Sequence, residues 1–135
     1  MNYNQDVDQL RLLSIFHYIM GGASALFSFF PVIHLIMGIA ILSGAFDEME
    51  QGGAPPRFVG WIFILVPLGI IVTGLAFSAC ILVAGRQLGN RTGYTFCLVI
   101  ACAECLMMPF GTALGVFTII VLMRPTVKKM FGVPV

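Results

Sequence analysis

Three side chains capable of acid–base chemistry stand inside otherwise apolar sequence: His17, His34 and Glu104. Glu104 is the one Asp, Glu, Lys or Arg residue within three apolar stretches, 12–46, 58–85 and 92–123. A carboxyl in such a setting costs several kcal/mol unless protonated or paired, so proton or cation handling is its first functional reading. The plainer reading is a protonated, hydrogen-bonded structural group. The two histidines lie in one apolar stretch and invite comparison with bis-imidazole haem ligation. Seventeen residues apart on a single helix, they stand about 25 Å apart and cannot share an iron within one chain. Haem would need each imidazole to meet its copy in another protomer. Hydrogen-bonded imidazoles at helix contacts are the simpler account.

The cysteines are less informative. Cys97, Cys102 and Cys105, with Cys80 elsewhere, match the letter of a plant-type iron–sulfur spacing. They fall in a run that reads as helix, whereas a cluster or a zinc site needs a loop wrapped around its thiolates. Small apolar packing groups are what helical cysteines usually are. No cofactor is expected. Neither a glycine-rich phosphate loop nor a nucleophile–base pair is visible, so the chain reads as non-enzymatic. Asn90-Arg91-Thr92 fits a glycosylation sequon, but in a loop expected on the cytoplasmic side.

The elements that position these groups follow from composition. Of 135 residues, 59% are hydrophobic and only 10% charged, where a soluble domain carries roughly a quarter charged residues. Each apolar stretch exceeds the ~20 residues a helix needs to cross a bilayer. The expectation is a single all-α integral membrane domain over 1–135. A net charge of +1 with no basic patch beyond the tail excludes nucleic acid as an expected partner. The polar, acidic start has no basic n-region, so the first stretch reads as retained structure rather than a cleaved signal.

Orientation comes from lysine and arginine, which concentrate in cytoplasmic loops. The loop Gly85–Gly93 holds Arg86 and Arg91, and the tail holds Arg124, Lys128 and Lys129; both belong inside. The acidic loop Asp47–Arg57 belongs outside. Two inside assignments flanking 92–123 require that stretch to turn back, and Pro109 and Gly111 offer a break. Four Pro-kinked transmembrane helices with cytoplasmic termini are expected, three being the alternative. Pro31 marks either a kink or a turn in the first stretch.

Small residues identify helix contacts, since close backbone approach holds helices together in lipid. Gly111 and Gly115 form a GxxxG pair; Ala76, Cys80 and Ala84 share a face, and Gly74 and Ser78 form another pair. Packing within the bundle is the plain reading, and homo-oligomerisation the sharper one.

Two segments, Tyr94-Thr-Phe-Cys-Leu-Val99 and the run from Cys105 through Pro109-Phe-Gly-Thr-Ala-Leu-Gly-Val-Phe-Thr118 to Arg124-Pro-Thr-Val-Lys128, resemble small bacterial inner-membrane proteins of unassigned function. So do Leu10–Tyr18 and Phe30-Pro-Val-Ile-His34. The resemblance implies a multi-pass bacterial inner-membrane location and carries no activity. The leading functional expectation is a helical subunit that packs against itself or other membrane subunits, with lipid around it. A proton or ion channel or small transporter using Glu104, with His17 or His34, is the second. A haem- or quinone-binding redox subunit is the third.

Overall fold

The structure, a computed structural model, describes residues 3–45 and 56–134. The acidic loop expected at Asp47–Arg57 therefore lies almost wholly outside the described residues. The elements are α1 (Tyr3–Ser28), α2 (Val32–Leu42), α3 (Arg57–Asn90), α4 (Tyr94–Glu104), α5 (Phe110–Leu122) and α6 (Pro125–Met130). No strand occurs among the described residues. Two helical stretches are long and apolar enough to cross a membrane: Tyr3–Leu42, which runs through the break at Pro31, and Arg57–Asn90. Only 11% and 17% of their most apolar windows are buried, whereas the core helix of a soluble protein is buried through most of its length.

Contacts group the chain into two compact units, Met1–Ala23 with Ser78–Val135, and Ser24–Phe77. In the second unit, Gly74 lies against Ser28, Gly38 against Phe63 and Ile64, and Gly60 against Ile41 and Leu42. As one residue number rises its partner's falls, so this length of chain runs antiparallel to α3 on both sides of Pro31. Pro31 is thus a kink and not a reversal. The backbone bridges it with short turns, Phe29 and Phe30 bonding back to Leu26 and Phe27, and His34 and Leu35 to Pro31. Pro67 sits inside α3, where its missing N–H removes the usual donor for the Phe63 carbonyl.

In the first unit the loop expected at Gly85–Gly93 shrinks to Arg91–Gly93, because α3 continues to Asn90. Gly85 and Gly89 serve packing rather than turning. A Cβ on Gly85 would stand 3.0 Å from the His17 Cβ and 3.2 Å from the Ser14 carbonyl, and one on Gly89 would meet the Ser14 hydroxyl at 3.2 Å. The chain turns instead at Arg91 and Gly93, both at positive φ, 56° and 64°. The expected break in 92–123 is present, over Cys105–Pro109 and slightly earlier than Gly111. Beyond it α5 folds back along α4, with Gly111 beside the Glu104 carbonyl and Gly115 beside Ala101 and Cys105. At 1.5 Å per residue the two arms measure only about 16 and 20 Å.

Burial is inverted relative to a water-soluble protein. Asp6, Ser14, His17, Ser24, Ser28, Ser78, Glu104 and Thr118 are buried, while Leu26, Phe27, Phe30, Leu106 and Phe117 are 65% exposed or more. Large apolar surface of this kind marks contact with lipid or another protein.

Candidate functional site

α1 turns one polar seam inward. Asp6, Leu10, Leu13, Ser14, His17, Gly21, Ser24 and Ser28 are all buried, spaced by the three and four residues that keep a helix face aligned. On α4 the buried positions are Cys97, Ile100, Ala101 and Glu104, again one face. Gly21 and Gly85 let α1 and α3 approach closely. Ser14 then donates to the Gly85 carbonyl at 2.6 Å and Ser78 to the Gly21 carbonyl at 2.6 Å. In this part of the fold His17 meets Glu104.

The His17 Nε2 stands 3.2 Å from Glu104 Oε2, with the side chains 0% and 1% exposed. The other ring nitrogen, Nδ1, lies 2.8 Å from the Leu13 carbonyl. A carbonyl only accepts, so Nδ1 carries a proton and donates. That fixes what the pair can hold. With a neutral imidazole, Nε2 is an acceptor and Glu104 must supply the proton; with an imidazolium, Glu104 is a carboxylate. With one proton between them, in either arrangement, the pair would have no net charge. Removing it would set a carboxylate against an imidazole lone pair, and adding another would bury a cation; both carry the cost of an unpaired charge away from water. Neither Nε2 nor the two Glu104 oxygens finds a well-aligned hydrogen bond among the described residues. The ion-pair distance is met without a well-aligned hydrogen bond, so the contact is loose.

A second polar group closes one end of the same unit. Arg124 Nη1 donates to Asp6 Oδ1 at 2.9 Å and to Gln9 Oε1 at 2.5 Å. Thr126 donates to Asp6 Oδ2, and Arg91 to the Tyr3 hydroxyl at 3.3 Å. The start of α1, the α3–α4 turn and the end of α5 therefore meet. His17 lies eleven residues beyond Asp6 along α1, about 16 Å from this end.

The other expected residues fall elsewhere. His34 is exposed on α2 and stacks on Phe63, ring centroids 6.1 Å apart. Gly111, Gly115 and Gly74 are taken up by contacts within the chain, and Ser78 by its bond to α1. Ala84 is buried, Cys80 half-buried and Ala76 exposed, so this face serves packing only in part. The cysteines are free, with Cys97 buried and Cys102 exposed. No cluster of three or more His, Cys, Asp or Glu side chains occurs among the described residues. Sequence reasoning found both partners of the central pair but not their pairing. It overlooked Ser14 and the Asp6–Arg124 clamp. The signal for the clamp was available: cytoplasmic placement of both termini puts the acid before the first apolar stretch beside the base after the last. Comparison with protein-family models, with curated proteins and with solved structures finds no match.

Proposed function

We propose that this chain is a non-enzymatic multi-pass membrane protein that binds and passes protons at the His17–Glu104 pair, as a small proton-coupled transporter or channel. The observation that carries the reading is a fully buried acid and base 3.2 Å apart, neither engaged in a well-aligned hydrogen bond at the facing atoms among the described residues. Buried ionisable groups of this kind are the usual currency of proton relays. The topology belonging to this reading has four helical segments: two long crossings, Tyr3–Leu42 and Arg57–Asn90, and a short hairpin, α4–α5. Both ends of the first unit face the cytoplasm of a bacterial cell, on the side where Arg11, Arg86, Arg91, Arg124, Lys128 and Lys129 lie. The register of α4 on α5 and the Asp6–Arg124 contact support that arrangement. An accessory subunit held by small-residue faces draws less support, since Gly111, Gly115, Gly74 and Ser78 are occupied within the chain.

Proteoliposomes enclosing a pH-sensitive dye test the proposal. Under a potassium diffusion potential, the protein is expected to acidify the lumen faster than empty vesicles do. Glu104→Gln, which cannot release a proton, is expected to bring the rate down to that background. A wild-type rate equal to empty vesicles, or a Glu104→Gln rate equal to wild type, rejects it.

A further inference from the structure

We propose that a groove along α1 and α5 seats one acyl chain of an anionic phospholipid, with the lipid phosphate at Arg124. The proposal rests on the membrane reading but not on proton handling. The groove has a volume of about 600 Å³, within the ~300–1,000 Å³ usual for sites that take small molecules. Leu12, Phe16 and Ile19 form one wall and Ala113, Phe117 and Ile120 the other. Spacings of three and four residues mean that the groove runs lengthwise along both helices. From Gln9 to Met20 it extends about 16 Å, roughly half of a ~30 Å hydrocarbon core and so the depth of one leaflet.

The polar groups on its lining, Gln9 and Arg124, stand at one end. Both Arg124 contacts use Nη1, leaving Nη2 and Nε without an acceptor among the described residues. Lys128 and Lys129 follow in the last turn of α6. Asp6 offsets one of these three cations, and Asp8 and Arg11 on α1 offset each other, so the mouth is net positive. A slot that is apolar for one leaflet and cationic at the headgroup end matches a chain carrying a phosphate. A helix from a second copy would leave the cationic end unmatched.

Native mass spectrometry of the full chain in mild detergent tests this, with phosphatidylglycerol or phosphatidylcholine of the same acyl chains added. One phosphatidylglycerol per chain is expected to stay bound, at least about tenfold more strongly than phosphatidylcholine, the discrimination that two or three bases near a headgroup supply. Ala113→Trp fills the groove away from Arg124 and is expected to abolish retention with an unchanged circular dichroism spectrum. Lys128→Gln with Lys129→Gln is expected to reduce the preference for phosphatidylglycerol. If Ala113→Trp fails to fold, Phe117→Ala, which widens the groove, is expected to weaken retention instead. Equal retention of both lipids, or groove variants that bind like wild type, overturns the proposal. So does a dimer that Ala113→Trp dissociates, which assigns the groove to a second copy. Recovery of the protein in the supernatant of detergent-free lysate is a different failure, that of the membrane reading itself.

Discussion

At the residue scale, the His17–Glu104 pair is a unit whose members depend on each other. Replacing His17 with Ala leaves the Glu104 carboxyl buried without a partner, a loss of about 1–3 kcal/mol. Replacing both with Leu removes the need for pairing and is expected to cost less than His17→Ala alone, by the asymmetry that governs buried polar pairs. Thermal unfolding in detergent, followed by circular dichroism, gives the order; a double variant less stable than His17→Ala contradicts the pairing. Infrared spectra of the wild type, with those of Glu104→Gln and His17→Gln subtracted in turn, test where the proton sits. A protonated-carboxyl band that Glu104→Gln removes and His17→Gln shifts is expected. A Glu104-dependent carboxylate band in its place puts the proton on the imidazole instead. Glu104 was conspicuous in the sequence because it is the only charge in the apolar stretches. His17 was singled out as well, but its pairing with Glu104 was not legible, because their separation of 87 residues is bridged only by folding.

At the element scale, glycines divide into those that a neighbouring helix needs and those that it does not. Gly85→Ala sets a methyl 3.0 Å from the His17 Cβ and 3.2 Å from the Ser14 carbonyl, against backbone and a buried ring that cannot easily withdraw. A loss of about 1–3 kcal/mol is expected, as in other overpacked contacts. Gly69→Ala meets nothing within 4 Å and removes a flexible residue from a helix interior, so it should be neutral or stabilising by up to about 1 kcal/mol. Detergent melting curves for the two variants, side by side, read the difference; equal shifts would falsify the close approach of α1 to α3. The same contact explains why Gly85–Gly93 reads as a loop in sequence and is helix for all but Arg91–Gly93. Glycine signals both turns and tight packing, and composition cannot say which. The break at Pro109 was legible because proline there has no N–H to continue a helix. Pro31 was legible as a break of undecided kind, and the register on α3 makes it a kink.

At the scale of the whole molecule, the arrangement predicts that the N-terminal residues and the tail lie on one side of the membrane. In a variant with its four cysteines replaced, single cysteines at residue 4 and residue 132 are expected to resist an impermeant maleimide in intact cells and react after permeabilisation. Opposite labelling of the two ends rejects the α4–α5 hairpin topology. The Asp6–Arg124 clamp makes a matching stability prediction. Asp6→Arg alone opposes two cations, and adding Arg124→Asp should restore most of the lost melting temperature; an uncorrected loss argues that Thr126 and Gln9 carry the contact. Chain composition and charge placement determined that the protein is helical and that the chain breaks near Pro31 and Pro109; of three stretches read as long enough to span a bilayer, the structure keeps two as long helices, Tyr3–Leu42 and Arg57–Asn90. These properties are local, set by hydropathy, proline geometry and the cost of charge in lipid. Which inward faces meet was decided only in three dimensions. Glu104 is held by a histidine from the opposite end of the chain because α4 is folded back against the seam of α1, and no periodicity within either helix records its partner.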